Sequence, residues 1–358
     1  MKQLLLTLAI FLNVKTEWNN LELPFNLEKN KVQSIFFDGK LYSQTDMPLP
    51  QPINKNSIDL SIISTFVRFN GSLCRQSISL LEAILPHQLN VNIIGNAFLD
   101  DIKNKALESI LKNTKKNNPV GNVSILEDVI FTKNFNGFKN IPKDSHIKLA
   151  YTMFESSRIP QIWVSYLNQL DGLVVPDQYI KKIYIKSGIT VPVFVVPLSL
   201  YLQGFLDLPK KTTVHEKFTF GCIAMEISRK NIEKVIEAFH QAFGRSKKVQ
   251  LIIKVSPSRE TKPNYLENFI IKRWGKNIKL IRDSFDWQGY IKLMSSFDCY
   301  VYPSKGEGFS NTPREAMAAG IPCILTNNTA QKTICKSGLV KVIESKIKEP
   351  ASYFWFSN

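Results

Sequence analysis

The chain has 358 residues, room for two domains of ordinary size, and 44% of them are apolar, as in proteins with buried cores. No run approaches the roughly 18–20 consecutive apolar residues of a membrane-spanning helix. Its 46 Lys and Arg against 30 Asp and Glu give a formal charge of +16, which narrows the partners to nucleic acid, an anionic membrane surface or phosphorylated small molecules.

In chain order, Lys2 and the apolar run Leu4–Leu12 have the shape of a short signal segment. The following Asn13-Val14-Lys15-Thr16-Glu17 holds no small-x-small cleavage site, so the run reads better as a buried strand or short helix. Residues 1–57, with Pro48, Pro50 and Pro52 near their end, lie outside the rhythm that follows and are expected to form an N-terminal extension. From Ile58 onward, short apolar runs alternate with helical stripes. Strands are predicted at Ile58–Ser64, Val91–Ile94, Ile147–Met153, Gly172–Val175 and Val193–Val196. After a polar stretch, more follow at Phe218–Ala224, Val249–Val255, Ile278–Ile281, Cys299–Tyr302 and Pro322–Leu325. Between them, Ile232, Val235, Ile236, Phe239 and Phe243, and Trp287, Tyr290, Ile291 and Met294, keep the spacing of one buried helix face. This alternation predicts βαβ units and parallel sheets. Gln203–Glu216 reads as a linker, giving two doubly wound α/β domains, 58–205 and 206–358, that face a cleft where strand C-termini converge.

The chemistry concentrates in Gly306-Glu307-Gly308-Phe309-Ser310-Asn311-Thr312-Pro313-Arg314-Glu315, which ends at Gly320. Thr312 suits an N-cap, Pro313 the first helical position, and Gly320 a left-handed helix end. A loop entering a helix here offers backbone N–H groups to an anion, with Glu307 on the approach and Glu315 in the first turn. Thr312-Pro313-Arg314-Glu315 is also a capping box, in which Glu315 reaches back to the Thr312 amide for structural reasons alone. The histidines (His87, His146, His215, His240) share no metal-ligand spacing, and no metal site is expected. Five scattered cysteines, three inside strand-like runs, point to reduced core thiols in a cytoplasmic protein. No zinc-finger, RNP-like or basic heptad pattern supports a specific nucleic-acid partner. Lysines cluster locally at Lys112, Lys115 and Lys116, and the charge reads either as a Lys/Asn-rich background or as a patch for peripheral contact with the inner face of an anionic membrane.

Glu307-x7-Glu315 within Gly-Glu-Gly-Phe…Glu-Ala-Met-Ala-Ala-Gly-Ile-Pro resembles the donor-site signature of retaining glycosyltransferases of family 4, which have the GT-B fold. Phe297–Ser304 resembles the strand leading into that site. Ser228-Arg229-Lys230-Asn231 with Ile236-Glu237-Ala238-Phe239 resembles the lysine-containing donor-phosphate element. Tyr151–Pro160 and Asp171–Pro176 are similar to later strands of the family's N-terminal domain, so the resemblance extends from about residue 58 to 350. It implies transfer of a sugar from a nucleotide-sugar co-substrate to a hydroxyl of a glycan or lipid-linked acceptor, in surface polysaccharide or lipopolysaccharide synthesis. Neither a metal nor a further cofactor is implied. Glu307 would contact hydroxyls of the transferred sugar, Glu315 the ribose, and Lys230 the diphosphate. Amides of Gly308, Phe309, Ser310 and Asn311 would hold sugar hydroxyls or phosphate. With no covalent nucleophile in view, the resemblance implies front-face attack guided by the leaving diphosphate.

The chain also departs from the family pattern. Cys222 stands at about the place of a second phosphate-binding arginine; Arg229 or Lys254 would substitute, unless each is an ordinary exposed base. Glu155 stands near the place of a cleft histidine, to bond the sugar or to position the acceptor hydroxyl, or else as a helix N-terminal acid. Gly71, in Asn70-Gly71-Ser72, resembles a turn that lets backbone approach the donor or acceptor, or is only a turn. Only 38 residues follow Gly320, so a truncated or minimal C-terminus is expected, and with it the alternative of a catalytically weak nucleotide-sugar binder or a basic scaffold on membrane or nucleic acid.

Overall fold

The computed structural model describes residues 34–37, 40–43, 60–64, 91–94, 121–127, 143–198, 202–209, 216–257, 264–273 and 277–350, with a few single positions between them. Inside the N-terminal extension, β1 (Ser34–Phe37) and β2 (Lys40–Ser43) pair as an antiparallel hairpin. The apolar run 4–12, Gly71, Cys74 and the lysine cluster at 112–116 lie outside the described residues.

The first large sheet is built from β3 (Leu60–Ser64), β4 (Val91–Ile94), β5 (Val123–Glu127), β6 (Ile147–Tyr151), β7 (Gly172–Val175) and β8 (Val193–Val195). Their spatial order is β4-β3-β5-β6-β7-β8, and every neighbouring pair is parallel. Helix α1 (Gln161–Leu167) and α2 (Gln178–Ser187) return the chain over the sheet. Trp163, Leu167, Ile180 and Tyr184 are sealed from solvent between helices and strands.

The segment read as linker is not featureless. Its first four residues form α3 (Gln203–Leu206), and Phe205 is buried in the core of the second unit, edge-on to Trp287. A helix forms here because one large aromatic ring finds a pocket, which tertiary contact supplies and local composition does not.

The second unit follows with β9 (Phe218–Met225), a 3-10 turn at Ser228–Lys230, α4 (Ile232–Phe243), β10 (Val249–Ser256) and α5 (Tyr265–Arg273). Then come β11 (Ile278–Ile281), α6 (Trp287–Ser295), β12 (Cys299–Tyr302), α7 (Asn311–Ala318), β13 (Cys323–Asn327), α8 (Gln331–Cys335) and β14 (Lys341–Glu344). The sheet order β11-β10-β9-β12-β13-β14 is again all parallel. Counted from β9, this is the 3-2-1-4-5-6 order of dinucleotide-binding folds, with its reversal between β9 and β12. Both strands are central and covered on two faces, hence the unbroken burial of Cys299-Tyr300-Val301-Tyr302. In α4, Ile232, Val235, Ile236 and Phe239 face the core, as their spacing predicts. Cys222, Cys299, Cys323 and Cys335 are free and buried.

Candidate functional site

At the β9/β12 reversal, two chain segments leave the sheet on the same edge. After β9 the chain makes the Ser228–Lys230 turn, closed by Asn231 in a left-handed conformation (φ 57°) whose side-chain amide bonds the Pro303 carbonyl. After β12 it runs through 303–310 into α7, which opens on Ser310, also left-handed (φ 65°). A Schellman pair ends α7: Gly320 N–H donates to Met317 O and Ile321 N–H to Ala316 O, with Gly320 at φ 70°.

Lys230 and Glu307 meet between these segments. Lys230 Nζ lies 2.6 Å from Glu307 Oε1 and donates to Tyr302 Oη, also at 2.6 Å. The same Oε1 accepts from Ser304 Oγ at 2.6 Å and Arg229 Nη1 at 3.2 Å. Arg229 Nη1 also donates to the Gly306 carbonyl, while Nη2 reaches Glu155 Oε1 at 3.2 Å. Burial pushes the Lys230 ammonium below its usual range and Arg229 adds to this, while Glu307 and Glu155 oppose it. Burial alone would raise the Glu307 carboxyl, but Lys230 and Arg229 outweigh it and hold the group below its ordinary range. The result is a carboxylate–ammonium pair almost out of water, with side chains only 7% and 11% exposed.

The Glu155 contact crosses between the two units, and the Gly306–Phe309 loop is seated there. A Cβ built on Gly306 would fall 2.1 Å from the Glu155 carbonyl oxygen, and one on Gly308 2.8 Å from Met153. Phe309 is buried with Tyr151 and Leu198 of the first unit, and the Arg314 guanidinium lies 4.0 Å over its ring. Glycine at 306 thus allows backbone to meet backbone across the interface.

The loop leaves ligand-sized chemistry unused. Among the described residues, none accepts from the backbone N–H groups of Gly308, Phe309, Ser310 or Asn311, and the buried Ser310 Oγ has no partner. Orphaned buried donors at a helix N-terminus are what an anion or a set of hydroxyls would satisfy.

Of the residues singled out from sequence, Glu307, Lys230, Arg229, Glu155 and the 308–311 loop come together. Lys254 does not; its ammonium bonds Val255 O and Ser256 Oγ, two strands away from β12. Cys222 is sealed in the core of β9, with burial pushing its thiol up to about 12. The capping box is not formed, because α7 begins two residues early, making Thr312 its second residue and Pro313 its third. Glu315 instead accepts from Tyr290 Oη at 2.5 Å. The reading of Glu155 as a helix acid also fails: α1 starts only at Gln161, behind Pro160. From sequence, Tyr302 and Ser304 stand out only as part of the strand-like segment 297–304. Their signal was available, since a buried tyrosine or serine hydroxyl needs a partner.

Residues 217–349 match the family described as "Glycosyl transferases group 1". Over 117 residues the chain is 27% identical to the capsular polysaccharide biosynthesis glycosyltransferase CapM of Staphylococcus aureus, a match covering 32% of this chain and 30% of that protein. Among solved structures, apo OtsA aligns with a TM-score of 0.56 at 11% identity, covering 80% of this chain and 88% of that one. Anabaena HepE in complex with UDP and glucose aligns at 0.54 and 12% identity, covering 77% and 83%. The likeness to these structures is one of fold: two Rossmann-like units in the GT-B arrangement. No helix among the described residues is long and apolar enough to cross a membrane.

Proposed function

We propose that this chain is a retaining glycosyltransferase of family 4 that moves a sugar from a nucleotide-sugar donor to a hydroxyl of a glycan or lipid-linked acceptor, in surface polysaccharide or lipopolysaccharide synthesis. The observation that carries this reading is the Lys230–Glu307 pair beside four unpartnered loop amides at the strand reversal. In the proposed reaction the acceptor hydroxyl attacks the anomeric carbon, the bond from that carbon to the diphosphate breaks, and the hydroxyl proton passes to the departing phosphate oxygen. Negative charge grows on the diphosphate as it leaves, and fixed cations and N–H dipoles aimed there lower the barrier. Lys230 and Arg229 supply the cations and the 308–311 amides the dipoles, so the step is proposed to run without a metal. Glu307 accepts from hydroxyls of the transferred sugar, and Glu155, on the opposite wall, orients the acceptor hydroxyl. The 58–205 domain is assigned the acceptor and 206–358 the donor, on the cytoplasmic face of the membrane.

Thermal-shift titration with uridine and guanosine diphosphates, then transfer assays with the matching sugar nucleotides, tests this. Stabilisation by one diphosphate is expected, and Lys230→Ala and Glu307→Ala should each remove transfer while circular dichroism stays native. Full turnover by either variant refutes that residue's role. Absence of any nucleotide response, together with salt-sensitive binding to DNA or anionic vesicles, points instead to a scaffold.

A further inference from the structure

We infer that Thr329 is a positioning residue that fixes the main chain of Glu307, and with it the amides of the loop that follows; this rests on the role proposed for Glu307. Thr329 Oγ1 accepts the Glu307 N–H at 2.7 Å, and the Ala330 N–H donates to the Glu307 carbonyl at 3.2 Å. Both polar main-chain groups of Glu307 are thus tied to two consecutive residues outside its own loop. The Thr329 hydroxyl presents a lone pair to Glu307 because its proton goes elsewhere. It donates to Asn328 Oδ1 at 3.2 Å, and Asn328 Nδ2 donates to the Ser304 carbonyl at 2.8 Å. Ser304 is the residue whose own hydroxyl bonds Glu307 Oε1. The relay therefore runs from the Glu307 amide back to the serine that orients its carboxylate.

The backbone of Thr329 is strained. It stands at φ 41°, and among the described residues it is the one β-branched side chain at positive φ. Such a conformation persists only where the surroundings over-determine it. Here Ala330 is sealed in the core of the first unit, and the equally buried Gln331 donates to the Tyr302 carbonyl at 3.3 Å. On the other side, Thr326 Oγ1 donates to the Ser304 carbonyl at 2.5 Å. The turn between β13 and α8 is pinned at both ends, and the strained residue inside it carries the hydroxyl that reaches the Glu307 amide. A glycine would take φ 41° without strain, but it would bring no acceptor, and the Glu307 N–H would lose its partner.

The test measures transfer kinetics, Tm and amide hydrogen exchange by NMR in wild type, Thr329→Ser, Thr329→Val and Thr329→Gly. Thr329→Ser keeps the hydroxyl and should hold kcat within about twofold of wild type. Thr329→Val keeps the shape and removes the acceptor. Its kcat should fall about tenfold to a hundredfold, the scale of misaligned reacting groups, with donor KM changed less than about threefold. Thr329→Gly should show the same loss of kcat while melting at or above Thr329→Val, since glycine relieves the strain. That pair separates position from stability, and glycine keeps the test usable if the valine variant folds poorly. Exchange at the Glu307 amide should quicken about tenfold or more in the valine and glycine variants and stay slow in the serine one. Wild-type kcat in both variants, or a fall that follows Tm so that glycine keeps its turnover, overturns the positioning role. Unchanged exchange at Glu307 in both overturns it as well. A wild type that transfers no sugar, with exchange at Glu307 responding as expected, refutes the proposed function instead and leaves Thr329 as the anchor of Glu307.

Discussion

Replacing Gly306 by alanine tests whether the seating of the loop against Glu155 sets the site. The added methyl would start 2.1 Å from the Glu155 carbonyl oxygen, and that oxygen belongs to backbone. An ordinary carbon–oxygen contact is about 3.3 Å, so the two units must separate locally by about 1.2 Å. Arg229 spans this gap, with Glu155 at 3.2 Å on one side and Glu307 at 3.2 Å on the other, so it cannot keep both. Overpacking of this kind costs roughly 1–3 kcal/mol, a fall of several degrees in Tm. A misplacement of about 1 Å at reacting groups costs on the order of a hundredfold in rate. Gly306→Ala should therefore lower kcat/KM for transfer by one to two orders of magnitude. The control is Gly320→Ala, at φ 70° with nothing within 4 Å. Its left-handed strain costs roughly 1–2 kcal/mol, with no push on the interface, so stability should fall and kcat/KM should not. If both variants lose similar stability and Gly306→Ala keeps wild-type turnover, the interface does not set the site geometry.

Lys230→Met leaves Glu307 buried beside Arg229 and Ser304, and breaking a buried pair this way costs about 3–5 kcal/mol in urea unfolding. Adding Glu307→Leu should recover most of that loss, since no charge is then stranded; a double variant weaker than both singles refutes the pairing. The pH dependence follows from the lowered Glu307 value. The carboxylate's contribution is complete above its ordinary value of 4.5 and is lost as pH falls through the lower folded value. The stability gap between wild type and Glu307→Gln should thus stay constant from pH 8 to about 5 and close in stronger acid. A gap that widens with acid would contradict the assignment. Glu155→Gln removes an anion from Arg229, so nucleoside diphosphate should bind about two- to fivefold tighter, in line with a partly exposed pair worth under 1 kcal/mol, while transfer falls.

The sheets were legible in the sequence because buried parallel strands are short, nearly continuous apolar runs. β5 (Val123–Glu127) and β14 (Lys341–Glu344) were not. Each mixes polar and apolar residues over only a few positions, and pairing with β3 and β6, or with β13, is what makes it a strand. The residues at the strand reversal could be read because Glu307 and the loop amides are local to one motif. The Arg229–Glu155 contact joins positions 74 apart, and no local period encodes it. Thr-Pro-Arg-Glu satisfied a capping box in composition, but the left-handed Ser310 starts the helix earlier and takes the first turn with it.

Charge balance at the reversal argues for why Glu155 stands where it does. Two cations, Lys230 and Arg229, face two carboxylates, Glu307 and Glu155, so the quartet is neutral as described. An unpaired ammonium buried this deeply would shed its proton, and burial already pulls Lys230 that way. Glu307 keeps it charged, at the cost of occupying it. On the proposed function, an arriving diphosphate must take cation contacts now made by carboxylates. Glu155 is the easier one to displace: its side chain is 22% exposed against 7% for Glu307, and it contacts Arg229 alone of the two cations at 3.2 Å. Releasing it loosens a tie between the two units at the moment the donor binds. Donor binding and movement of the acceptor wall are then one event, as expected for an enzyme that must admit a large sugar nucleotide and afterwards exclude water.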